Sequence, residues 1–549
     1  MKQILLCYGI IMFHTTISQV GVRILEEGVQ EGYTLIHPQD SEISYLIDNN
    51  GRIVNTWSGN AISGKSLYLL ENGLLLRTLT SNDSFLNGGG VGGLIQLVKW
   101  DGTIYWQYLN SFAGDKRQHH DVQYLPNGNI LMLEWAYKTK EDAILNGRNP
   151  STFTELYSEF WSEQITEYKI TPPNRVEIVW QWDLWDHLVQ DFDPTKLNYG
   201  DVSEKPYRLD LNYRGDYNPQ LPPDWLHANS ISYNEDLDQI ILSSPYLNEF
   251  YVIDHSTTTE EAATGSGGNS GMGGDILYRW GNPFAYKRGE ISDQKLFGQH
   301  TVIWANEGDE VKVLLFNNGR QRPAGNFSTI EFIHLPYNTE AMNYNLAETL
   351  PFEPESAEIR YIAPTPTDFF SIQLSGAQIQ PNGNFLICEG SKGKIFEVND
   401  ANEIVWTFVN PIRVDGQLCI ENVETALQGA VFRAEKYPLN YNGLPQVAAP
   451  TNKFYWEADC LVSSSQNDLV EAVWPNPFQN LMNIIGTSPM KSVSLFDLAG
   501  KKLSQHSTEG DGFYILFILF QLPTLPQGQY VLRVEGQDGR TDHRLVWRK

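Results

Sequence analysis

The chain has 549 residues, 41% hydrophobic and 12% aromatic, enough for one large domain or two to four ordinary ones. Its formal net charge of −27 excludes the basic footprint that nucleic-acid binding requires. An acidic, soluble, extracellular protein fits this balance.

In chain order, residues 1–18 open with Lys2, continue as ILLCYGIIMF and end in small polar residues. This pattern predicts a secretory signal, against the alternative of a buried N-terminal strand. Cys7 lies early in the apolar run without small residues just before it, so no lipoprotein site is expected. No apolar run reaches membrane-spanning length, and no integral membrane segment is expected. The longest run, FYILFILF at 513–520, reads as a buried strand.

From residue 45 onward two hairpin patterns alternate. One is an apolar strand, an Asp/Asn/Gly turn and a strand ending in tryptophan: YLIDNNGRIVNTW (45–57), LVKWDGTIYWQY (97–108), YKITPPNRVEIVWQW (168–182), the pair within 251–280, and IFEVNDANEIVWTF (395–408). The other is a strand, a PNGN-like turn and a strand: 66–78, 120–133, 227–244, 300–316 and 375–390. Asn-Gly and Asp-Gly tolerate the positive φ of tight hairpin turns, so these are strong β signals. Four-stranded units repeated about six times predict an all-β chain built as a six-bladed β-propeller; an array of two-sheet sandwiches is the alternative.

Two insertions interrupt the repeat. Residues 136–164 carry a possible short helix near TELYSEFWSEQ, and 183–223 are rich in Asp, Pro and Tyr. TGSGGNSGMGG (264–274) reads as a mobile hairpin tip; it lacks the Gly-Lys-Ser/Thr ending of a phosphate loop. The expected organisation is a signal at 1–18, the propeller at 19–445, a linker at 446–469 and a small β-sandwich at 470–549. Cys388, Cys419 and Cys460 would remain after signal removal. They allow one disulfide without indicating which, and the absence of CxxC argues against a cysteine zinc site.

Histidines recur at the starts of the PNGN-type hairpins: His119 and His120, His227, and His300. In a propeller these positions face one mouth of the central channel. Alternation along a strand lets only one of His119 and His120 point fully inward, and puts Asn229 on the same side as His227. Ser375 holds the like position in LSGAQIQ. Such a cluster reads as a metal site, a nucleophilic imidazole site or an inert channel lining. No carboxylate pattern such as HExxH supports a metal, and neither metal nor cofactor is expected.

The motifs DWLHANSISYNEDLDQIILSS, FGQHTVIW…LLFNNG and HHDVQYLPNGN resemble those of the bacterial arylsulfate sulfotransferase family over roughly residues 30–445. The resemblance implies a six-bladed propeller that moves a sulfuryl group from an aryl sulfate to a phenol acceptor through a sulfated histidine, without a nucleotide donor. It implies His300 as the nucleophile and His227, Asn229 and His119 or His120 as sulfuryl-binding groups. Two motifs depart from the family: Pro245 stands where an arginine is common, and HTVIW, with Thr301 and Ile303, replaces HDAHW. Arg320 and Arg322, after the hairpin that His300 opens, are candidate substitutes for the cation. A non-catalytic surface propeller that binds sulfated or aromatic ligands is the alternative function. His187 could cover the channel mouth, His255 lies at an outer strand end, and His37 and His334 have no assigned role. WPNPF, LFDLAGKKL and the basic end HRLVWRK resemble the type IX secretion sorting domain over 470–549. That implies partnership with the secretion machinery, export through the periplasm and a secreted or cell-surface location.

Overall fold

The computed structural model describes residues 21–453 apart from 113, 154–158, 216–222, 309 and 413–428, together with Tyr455 and the segments 470–474, 481–486, 490–496, 501–507, 514–518, 528–537 and 541–548. The expected signal at 1–18, the linker beyond Tyr455, the WPNPF motif after its tryptophan, Cys419 and Cys460 lie outside the described residues. The chain divides into two compact units, Met1–Asp459 and Cys460–Lys549.

The first unit is a β-propeller. Among the described residues its six sheets of four or five strands are antiparallel and follow one another along the chain. The strands Val431–Pro438, Ser63–Leu69, Lys116–Tyr124, Ser230–Asn234, His300–Trp304 and Gly376–Ile379 each begin or border a different sheet, and each touches the next in a closed cycle. The ring closes by mixing the two ends of the unit. Gly32–Pro38 pairs with Val431–Pro438, and Gly21–Leu25 pairs with Ile404–Val409.

The recurring tryptophans have a structural cause. Each ends an outer strand, and its indole N–H donates to a group on the following sheet or its connections. Trp57 reaches Lys99 O at 3.0 Å, Trp106 reaches Arg175 O at 3.2 Å, and Trp182 reaches Gly274 O at 2.7 Å. Trp280 reaches Pro354 O at 2.8 Å, and Trp406 reaches Asn49 O at 2.8 Å, back on the first sheet. A large apolar ring with one donor suits a seam that is dry except for one turn carbonyl. The core is accordingly a set of interfaces between consecutive sheets. Leu76, Leu97 and Trp106 meet Val122, Ile130 and Met132 at one of them, and Phe316 and Ile330 meet Phe385 and Phe396 at another.

Two expectations change. Residues 159–164 are not helical: Glu159–Thr171 is a long strand paired along its length with Ile130–Thr139, and the short helix is Lys140–Leu145 instead. Thr139 caps that helix, its side chain accepting from Asp142 N. The segment 264–274 is not a bare hairpin tip: Asp254 accepts from Ser270 N at 3.0 Å and from Ser270 Oγ at 2.5 Å. Cys388 is a free thiol buried in the core.

In the second unit, Leu481–Gly486 lies between Val470–Trp474 and Tyr514–Ile518. A second sheet orders Lys502–Ser507, Met490–Phe496, Gly528–Gly536 and Thr541–Arg548. Val493, Leu495, Leu532 and Val534 are buried.

Candidate active site

The inner strands are bent where the site forms. His120, His227, Thr301 and Ser375 have φ of 48°, 52°, 51° and 94°, and Lys65 on the preceding sheet has 96°. Left-handed backbone is uncommon for such residues and is held only where the surroundings impose it. Register slips between Ser63 and Leu67, Gln118 and Val122, and His300 and Ile303 mark bulges at these points. A bulge re-aims a side chain relative to strict alternation. Here it turns His120 toward His227, with ring centroids 4.6 Å apart.

His120, 3% exposed, is the member of the pair beside His227; His119, fully buried, stands behind it. The Nδ1 atoms of His119 and His120 are 2.8 Å apart, and His119 Nε2 lies 2.8 Å from Glu163 Oε2. The His119 ring stacks flat on Trp135 at 4.1 Å. His227 is held by Asp224, whose Oδ2 is 2.5 Å from Nδ1, and by stacking on Tyr246 at 4.4 Å. His300 Nδ1 lies 2.9 Å from Asn318 Oδ1 and 3.0 Å from Gly298 O. Both partners are acceptors, so Nδ1 carries the proton and Nε2 keeps its lone pair.

Burial pushes the pKa of His300 down to about 3, although its bond to Asn318 resists this; the charges of His227 and Arg320 add to the depression. Burial likewise pushes His119 to about 3 and His120 well below the usual range, with His227 and Lys65 contributing to the latter. These imidazoles are neutral near pH 7, the state in which imidazole is a nucleophile. Among the described residues, Nε2 of His120, His227 and His300 has no protein hydrogen-bond partner.

Asn229 is buried; its Nδ2 donates to Gln299 O at 2.8 Å and its Oδ1 has no partner. Asp121, next to His120, anchors the floor. It accepts from Ser66 Oγ at 2.9 Å, Tyr68 OH at 2.7 Å and Ile231 N at 3.2 Å, and pairs with Arg433 at 3.0 Å.

The other candidates separate. Ser375 Oγ donates to Ser371 Oγ at 2.9 Å and accepts from Gly390 N at 3.0 Å, so its hydroxyl is engaged within its own blade. Its carbonyl accepts from Thr301 Oγ1 at 2.7 Å. Arg320 lines a recess of about 280 Å³ with Phe297, Gly298 and Asn248. Arg322 is a packing residue, over the Phe327 ring at 4.4 Å and 3.8 Å from Glu331. His187 packs locally, on Trp182 and Asp275, and His334 bridges Glu310 and Glu358. His37 is tied to Ser41 O. Among the described residues no group of three metal-binding side chains is arranged around a metal site.

Several site residues escaped the sequence reading. Glu163 lies outside the repeated motifs, and Asp224, though it opens the run DWLHANS, carries no role in that reading. Lys65, half-buried, precedes its hairpin glycine by the same interval as His120 precedes Gly128, a signal legible in SGKSLYLLENG. The run NGGGVGG (87–93) covers the imidazoles. Gly90 O accepts from His120 N at 2.8 Å, and a β-carbon on Gly89 would stand 3.2 Å from the His227 ring.

The propeller thus gathers imidazoles at the starts of its inner strands, under a run of glycines. The chain belongs to the arylsulfotransferase family: the profile described as Arylsulfotransferase (ASST) matches residues 23–410. A second profile, Secretion system C-terminal sorting domain, matches residues 472–548 and points to export. No curated protein matches the chain. Among solved structures, a Bacteroides caccae protein of unknown function is 11% identical, with TM-score 0.36, covering 74% of this chain and 98% of its own. Virginiamycin B lyase from Staphylococcus aureus is 12% identical, with TM-score 0.32, covering 72% and 90%. Likeness at these scores carries no argument about activity.

Proposed function

We propose that this protein is an exported arylsulfotransferase in which His300 Nε2 takes the sulfuryl group from an aryl sulfate and passes it to a phenol acceptor. The observation that carries the reading is the fixed tautomer of His300, with Nδ1–H held by two acceptors and Nε2 left unpartnered among the described residues. Nε2 attacks sulfur, the bond from sulfur to the aryl oxygen breaks, and the aryl oxygen leaves with the electron pair. The acceptor oxygen then displaces the imidazole. As in phosphoryl transfer, positioning and charge stabilisation dominate such a step. His227, oriented by Asp224, and the amide of Asn229 are suited to hold sulfuryl oxygens. Arg320 and Lys65 supply positive charge where Pro245 replaces the arginine common in the family. Ser375 acts indirectly, by fixing Thr301 beside His300.

The test is incubation with 4-nitrophenyl sulfate, with and without phenol. The expected results are nitrophenol release, sulfated phenol, and a sulfate-sized mass adduct on His300 that is stable in base and labile in acid. His300→Ala should abolish transfer and adduct alike. Robust transfer by that variant rejects His300 as nucleophile, whereas no transfer by the wild type leaves a binding propeller as the reading.

A further inference from the structure

We propose that Glu163, His119 and His120 form a proton store serving both halves of the reaction, with Glu163 and His119 as positioning residues behind His120; this rests on the sulfuryl-transfer reading above. The three groups are in line. Glu163 Oε2 meets His119 Nε2 at 2.8 Å, and His119 Nδ1 meets His120 Nδ1 at 2.8 Å. His120 Nε2 is the open end, on the ring that faces His227. Each link holds one proton, so the state of Glu163 dictates which nitrogen of His120 is protonated. With Glu163 protonated, it donates to His119 Nε2, His119 Nδ1–H donates to His120 Nδ1, and His120 presents Nε2–H. With Glu163 ionised every link reverses, and His120 presents a lone pair.

The surroundings favour a neutral starting state. Burial raises the Glu163 pKa, and the neighbouring Asp224 raises it further, against the bond from Ala228 N and the charge of His227. Burial lowers that of His119, against Asp224, Glu134 and Asp121. Burial, and the nearness of His227, His119, His300 and Lys65, disfavour a charge on His120. The relay is also rigid: Trp135 stacks on the His119 ring at an interplanar angle of 5°, and Glu163 Oε1 accepts from Ala228 N at 2.9 Å. Ala228 lies between His227 and Asn229, so the carboxyl is registered to the strand that carries them.

Protons and charge balance without solvent. In the first half the His300 N–S bond forms and the S–O bond breaks. The leaving aryl oxygen takes the proton from His120 Nε2. His120 Nδ1 takes one from His119 Nδ1, and His119 Nε2 takes one from Glu163, which becomes a carboxylate. That charge appears as the sulfated His300 ring becomes cationic. In the second half the acceptor oxygen bonds to sulfur and gives its proton to His120 Nε2, the chain runs back to Glu163, and the N–S bond breaks with its electron pair returning to His300. A group that is acid in one half and base in the other suits a reaction whose two halves mirror each other.

Glu163→Gln keeps the volume and both hydrogen-bonding roles of the protonated acid but cannot release a proton. The probe is rapid mixing of wild type and variant with 4-nitrophenyl sulfate, whose leaving group needs little protonation, followed by a chase with phenol. The expected result is a retained burst of nitrophenol and a retained His300 adduct, with turnover to phenol reduced about 10²-fold. Pentafluorophenol, a more acidic acceptor, should recover most of the loss. Wild-type turnover to phenol, equal loss of burst and turnover, or indifference to acceptor acidity would each overturn the proposal. If wild type shows neither burst nor adduct, the transfer reading itself fails. Nitrogen NMR of the imidazoles then decides the relay: His119 and His120 should change tautomer together as pH rises in wild type and stay fixed in Glu163→Gln. Unchanged tautomers in wild type overturn the relay independently of activity.

Discussion

Gly90 sets the tightest steric limit on the imidazole cluster. Its φ is +82°, and a β-carbon there would overlap the His120 ring. Gly90→Ala must therefore displace His120 or lift the covering run, and misplacing a catalytic group by about 1 Å costs on the order of 10² in rate. The expected outcome is a loss of that size in kcat/KM with 4-nitrophenyl sulfate and phenol. Gly102→Ala is the control, because Gly102 has φ +85° with open space around it. It should lose stability by about 1 kcal/mol and keep its rate. The sequence exposed His119, His120, His227 and His300 because they recur in phase with the hairpin turns. It did not expose Glu163, which lies inside a 13-residue strand whose first half reads as a possible short helix. Nor did it expose what divides His119 from His120, because simple alternation says nothing about a bulge. The covering glycines stayed silent for another reason: glycine freedom shows in the sequence, but what it makes room for does not.

At the scale of strands and sheets, the period-two patterns and turn residues carried most of the fold, because a hairpin is a local object. The insertion misled at 159–164 because aromatic and acidic residues are mixed there as they are on an amphipathic helix, while pairing with Ile130–Thr139 decides its state. His255 illustrates a contact between sheets that no local pattern shows. It bridges Asp238 at 2.7 Å, on its own sheet, and Glu167 at 3.0 Å, on the preceding one. Burial opposes its charge, but the bonds to Asp238 and Glu167 outweigh it and raise its pKa to about 9. A pKa raised on folding means that the folded state holds the proton more tightly. The stabilisation is therefore complete below about pH 6.5, the unfolded value, and is lost as pH rises through about 9. His255→Asn is expected to lower unfolding free energy by roughly 1–3 kcal/mol at pH 6, discounted from a fully buried pair. The deficit should shrink above pH 9, while sulfuryl transfer per folded molecule barely changes. Urea titrations at the two pH values check this, and a deficit that does not vary with pH would show packing rather than charge at work.

Across the whole molecule, the two compact units imply separable tasks. The unit ending at Asp459 contains all six propeller sheets, the tryptophan ring and the imidazole cluster. Its closure depends on chain well past the family match at residue 410. Val431–Pro438 supplies the strand beside Gly32–Pro38, and with it Arg433, which pairs with Asp121 under the site. The sorting domain at 472–548 contributes a different property, export, and the family it matches is defined by that role. Removing residues 470–549 should therefore leave a cooperatively folded protein with unchanged transfer kinetics, retained in the periplasm of its native host. Truncation after residue 430 should instead lose folding and activity together, since an unclosed ring exposes the inner edge of its first sheet. Cell fractionation with an activity assay on both truncations separates the cases. If the chain lacking 470–549 still reaches the surface, the sorting assignment fails. If it is retained but inactive, the propeller unit is not self-sufficient and the division of tasks is wrong.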